Sequence, residues 1–83
     1  MYNVIFSDLA SKQLKKLEKN IQNRILSALE RIRLRPESYV KKLVGESGFR
    51  LRVGDYSAIL DIQRHELLIL VIKVGHRRNI YQK

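Results

Sequence analysis

An α+β domain, with a helical hairpin packed on a mostly antiparallel sheet, is what three features of the 83-residue sequence predict. Ile21, Ile25, Ala28, Leu29 and Ile32 recur at helical spacing. Two alternating runs, Phe49 to Val53 and Tyr56 to Ile62, flank a Gly-Asp pair, and Leu67 to Ile72 is apolar throughout. Strand, two helices and three further strands in that order make one domain over residues 1–83, with the last three strands as an antiparallel meander.

Tyr2 to Phe6 reads as a short strand with Tyr2, Val4 and Phe6 on one face and Ile5 on the other. Ser7 or Asp8 can cap the first helix, expected from Asp8 to Lys19, with Leu9, Ala10, Leu14 and Leu17 inward. The second helix starts near Asn20 and is expected to run until Pro36 stops it, because a proline disfavours helical backbone in the residue before it. Residues 37–48 read as loop, with Gly45 and Gly48 as breakers. Gly54-Asp55 closes a two-residue hairpin whose register sets Arg52 opposite Ser57, Leu51 opposite Ala58 and Arg50 opposite Ile59. Gln63 to Glu66 form a polar turn. The run from Leu67 is apolar on both faces, as an interior strand should be, and Gly75 is expected to end it.

Seventeen Lys and Arg against eight Asp and Glu give a net charge of +9, spread as +4 over residues 1–40 and +5 over the rest. Such a surplus attracts nucleic acid, acidic proteins or anionic membranes. No apolar run is long enough to span a bilayer and the N-terminus lacks a signal-peptide pattern, which points to a cytoplasmic protein without a membrane partner. The chain has no cysteine, so disulfides and thiolate chemistry are excluded. Two histidines without a nearby carboxylate pattern argue against a metal site, and no cofactor is expected.

Arg50 and Arg52 fall on one strand face about 7 Å apart, an arrangement suited to an anion. After the last strand comes His76-Arg77-Arg78-Asn79-Ile80-Tyr81, a second basic group that carries a tyrosine. Together these supply the pieces needed to bind a phosphate and to do proton chemistry beside it. Tyrosine is a weak base at its reference pKa of about 10, but neighbouring guanidinium groups favour the phenolate. His76 has the better reference pKa, and only the fold decides whether it reaches the same pocket. Lys12, Lys15, Lys16 and Lys19 line the outward face of the first helix, where with Arg78 they can follow phosphates.

Phe-Arg-Leu-Arg-Val-Gly-Asp-Tyr at 49–56, followed by an apolar strand and Val-Gly-His-Arg-Arg-Asn-Ile-Tyr at 74–81, resembles the RelE/ParE toxin superfamily over essentially the whole chain. The resemblance implies the toxin of a type II toxin-antitoxin system. RelE-type members are metal-independent, ribosome-dependent endoribonucleases that cut messenger RNA in the aminoacyl site. ParE-type members share the fold and poison DNA gyrase. A third outcome is a toxin-like binding module without catalysis. The implied partners are the ribosome with its messenger RNA and an acidic, partly disordered antitoxin, which would add a strand or an amphipathic helix to the basic domain. Carried over residue by residue, Arg50, Arg52, Arg77 and Tyr81 match the positions of the nuclease residues. Where many members have a further arginine, this chain has Ser57, a loss expected to slow cleavage by roughly two orders of magnitude or more, with His76 the candidate to compensate.

Overall fold

The computed structural model describes residues 1–80 and shows two α-helices over one face of a five-stranded sheet. Strand β1 spans Asn3–Phe6, helix α1 Asp8–Lys15, helix α2 Lys19–Arg31, and the strands that follow are β2 Lys41–Lys42, β3 Phe49–Val53, β4 Tyr56–Gln63 and β5 Leu68–His76. Their order across the sheet is β1-β5-β4-β3-β2. The meander β3–β4–β5 is antiparallel and β1 joins it parallel to β5. β5 is thus an interior strand, but the helices cover only one of its faces: Ile69 and Val71 are buried there, while Leu68 and Leu70 are half-buried.

Ser7 is the cap of α1: its Oγ accepts from the Ala10 N–H at 3.0 Å and donates to the Ile72 carbonyl at 2.7 Å. One hydroxyl therefore starts the helix and fastens it to the sheet. The helix ends four residues short of the expected Lys19, because the Lys16 and Leu17 N–H groups turn back to the carbonyls of Gln13 and Leu14. Helix α2 stops at Arg31, well before Pro36. There Tyr2 N–H donates to the Arg33 carbonyl and Arg33 Nε donates to the Tyr2 carbonyl, so the backbone that would continue the helix is engaged by the N-terminus instead.

The core joins Ala10, Ile25, Leu29 and Ile32 of the helical layer to Leu51, Ala58, Leu60, Ile69, Val71 and Val74 of the sheet. Tyr2, Val4 and Phe6 pack against it, as the strand alternation predicts. Leu9 does not: it is 52% exposed, and Ala10 takes the inward position. The segment expected to be all loop contains β2, whose Lys41 and Lys42 pair with Arg50 and Phe49. Strand β5 passes through Gly75 to His76 instead of ending at the glycine.

Between Ile59 and Leu60 the β4–β5 register slips: Ile59 faces Lys73 and Leu60 faces Val71, leaving Ile72 as the extra residue of a bulge. The slip keeps both Val71 and Val74 in the core although they are three apart. Beyond the stretch paired with β1, α1 covers the edge of β5. Ser7 holds the Ile72 carbonyl and Gln13 Oε1 accepts from the Val74 N–H at 2.9 Å.

Candidate functional site

The hairpin register agrees with the sequence expectation at every pair: Arg50 faces Ile59, Leu51 faces Ala58 and Arg52 faces Ser57. Because Leu51 and Ala58 are core residues, the alternate positions Arg50, Arg52, Ser57 and Ile59 lie on the face turned away from the helices. Lys73 and Gly75, opposite Ile59 and Ser57, share that outer face. Arg50 is half-buried and Arg52 exposed.

The closing turn docks on the hairpin tip. Arg77 N–H donates to the Asp55 carbonyl at 2.8 Å, while Arg52 Nε donates to the Gly54 carbonyl at 3.3 Å. Two arginines far apart in sequence are thereby tied to adjacent residues of one turn. Gly54 has φ +60°, as the first central position of a tight hairpin turn requires. The Asn79 and Ile80 N–H groups both return to the His76 carbonyl, which winds the turn tightly, and Ile80 is buried as its packing anchor. Arg77 and Arg78 point to solvent. Tyr81, the proton acceptor singled out from the sequence, lies outside the described residues.

His76 is not brought to the outer face. It pairs with Tyr56, which packs against the core, and the two rings meet edge to face with centroids 5.4 Å apart. Its Nδ1 accepts from the Arg78 N–H at 3.2 Å, so the ring stabilises the turn. The bulge is the cause. By shifting the alternation of β5 by one residue, it sends Gly75 outward and His76 to the helix side. Lys12, Lys15, Lys16 and Lys19 are exposed on the helical hairpin, on the opposite side of the sheet from Arg50.

Ser57 carries a feature the sequence did not reveal. It is 1% exposed, and its Oγ has no hydrogen-bond partner among the described residues. Arg24 and Arg31 of α2 were not singled out either; with Arg52 they line a cleft of about 440 Å³ between α2 and the hairpin tip. Elsewhere Arg64 pairs with Glu37, and the carboxylate's hydrogen bond and charge raise the guanidinium pKa above its ordinary value. Among the described residues no group of three or more His, Asp or Glu side chains comes together as metal ligands, and no helix is long and apolar enough to cross a membrane.

The protein is thus a small basic domain whose two helices cover one sheet face and leave arginines on the other. The family model for the ParE toxin of type II toxin-antitoxin systems matches residues 4–81, and the chain belongs to that family, within the RelE/ParE superfamily. The toxin-antitoxin complex RelBE2 from Mycobacterium tuberculosis contains a chain 28% identical, superposing with a TM-score of 0.83 over 92% of this chain and 98% of that one. The RelB-RelE antitoxin-toxin complex from Methanococcus jannaschii gives 27% identity and a TM-score of 0.72, over 94% and 95% of the two chains. The isolated RelE toxin of E. coli, 24% identical with a TM-score of 0.75 over 98% and 92%, shares the fold. No curated protein matches the chain in sequence.

Proposed function

We propose that the chain is a ribosome-dependent endoribonuclease that cuts messenger RNA in the aminoacyl site and is neutralised by a cognate antitoxin. The observation that carries this reading is the docking of Arg52 Nε and of the Arg77 backbone on the Gly54-Asp55 turn, beside Arg50 on the outer face. In the reaction the 2′-hydroxyl loses its proton and attacks the adjacent phosphorus, the phosphorane collapses, and the 5′-oxygen leaves as it gains a proton. The products are a 2′,3′-cyclic phosphate and a 5′-hydroxyl. Arg50, Arg52 and Arg77 stabilise the dianionic phosphorane, and Tyr81 takes the 2′-hydroxyl proton. His76, engaged with Tyr56 and the Arg78 N–H, holds the turn that carries Arg77.

The antitoxin assignment draws on the M. tuberculosis and M. jannaschii relatives, both seen in toxin-antitoxin complexes, and on the +9 charge, which suits an acidic partner. A second reading, a gyrase-directed toxin on the same scaffold, is favoured by the ParE family match and by Ser57 in place of an arginine. One experiment separates them. Purified protein is incubated with ribosomes programmed with a messenger, and RNA 3′ ends are mapped for wild type, Tyr81→Phe and Arg77→Ala. Ends carrying 2′,3′-cyclic phosphate, lost in both variants, are expected; intact RNA from folded wild-type protein refutes the nuclease and leaves a gyrase-directed toxin or a catalytically silent binding module.

A further inference from the structure

Two guanidinium groups from different elements converge on Gly54. Arg52 of β3 donates from Nε to its carbonyl at 3.3 Å, and a Cβ added to Gly54 would stand 2.8 Å from an Nη of Arg24 on α2. Arg31 lies two turns further along α2, seven residues on and about 10 Å along the axis, and lines the same cleft. Asn23 and Ser27 complete the polar lining, and no carboxylate enters it. Neither ion pair among the described residues, Glu30 with Arg33 or Glu37 with Arg64, involves these three arginines. Three like charges around one cavity repel one another, and an anion in the cavity relieves that repulsion.

We infer that this cleft holds backbone phosphates of the polynucleotide that the outer face acts on. Arg52 links the two regions: its strand position is on the outer face with Arg50, its Nε reaches the Gly54 carbonyl at the hairpin tip, and the residue also lines the cleft. A strand crossing Arg50 therefore meets Arg52 next, then Arg24 and Arg31, a row of guanidinium groups that passes around the hairpin tip. The cleft lacks an aromatic surface on which a base could stack, so its contacts go to phosphate and are independent of sequence. For the identity of the anion the inference rests on the RNA-directed reading.

The test measures binding of a fluorescent single-stranded RNA, 2′-O-methylated so that it cannot be cut, across a salt series without ribosomes. Loss of two phosphate contacts in the double variant Arg24→Ala, Arg31→Ala is expected to reduce the slope of log affinity against log salt by about 1.4. Arg35→Glu removes the same two units of charge outside the cleft and should change the slope much less. The pair Arg24→Lys, Arg31→Lys keeps the charge and should retain most of the slope; urea midpoints verify that all variants fold. If the alanine pair behaves like Arg35→Glu, the cleft does not bind RNA. If it leaves RNA binding intact but abolishes binding of polyglutamate, the cleft receives an acidic protein segment and the inference is overturned. Cleavage is not read in this experiment, so failure of the nuclease assignment is seen separately in the ribosome assay.

Discussion

Replacing Ser57 with alanine should make the domain more stable. The hydroxyl is buried, with 1% of the residue exposed, and has no partner among the described residues. A hydroxyl removed from water without a compensating hydrogen bond costs about 1–3 kcal/mol. Alanine keeps the Cβ that packs beside Gly75 and Arg52 and removes only the oxygen, so the void it leaves returns a few tenths of a kcal/mol. The expected net gain is about 1 kcal/mol. For an 83-residue domain the entropy of unfolding is about 0.17 kcal/mol/K, so this gain appears as a rise in Tm of about 6 °C. Calorimetry of wild type and Ser57→Ala at one pH and ionic strength measures it directly. A fall in Tm of more than about 3 °C would show that the hydroxyl is already paired, and the reasoning from its burial would fail.

Two further substitutions probe the devices that hold the site. Gly54→Ala forces a left-handed φ of +60° on a residue with a side chain and drives its Cβ into the Arg24 guanidinium, whose flexible end can move aside; a loss of about 1–2 kcal/mol in urea denaturation is expected, chiefly from the backbone. Ser7→Ala removes the α1 cap and leaves the Ile72 carbonyl without its partner, so a loss of about 1–2 kcal/mol is expected, with hydrogen exchange rising first at Ala10.

The hairpin was readable from the sequence pair by pair, because a two-residue turn fixes the register and each alternating strand has a single way to bury Leu51 and Ala58. The α2 core stripe was readable for the same reason, since Ile21, Ile25, Ala28, Leu29 and Ile32 all fall on the packed side. Helix ends were less so. What stops α2 is the exchange of hydrogen bonds between Tyr2 and Arg33, two residues brought together only by the fold. Strand β2 consists of two exposed lysines and carries no apolar pattern to announce it. The bulge at Ile72 is equally silent in an all-apolar run, yet it decides which face receives His76. The basic cleft depends on α2 lying beside the hairpin tip; the spacing of Arg24 and Arg31 was visible, but their meeting with Arg52 was not.

The last strand of the described residues occupies an interior position in the sheet. With β5 between β1 and β4, the N-terminal strand has no hydrogen-bonding neighbour until residues 68–71 are available, more than sixty positions later. A nascent chain that stops short of them lacks Ile69, Val71 and Val74 of the core. Arg77 cannot reach the Asp55 carbonyl until β5 is in place, so the arrangement of arginines forms only after β5 has joined the sheet. A chain truncated before Leu68 leaves β1 unpaired and never brings Arg77 to the Gly54-Asp55 turn.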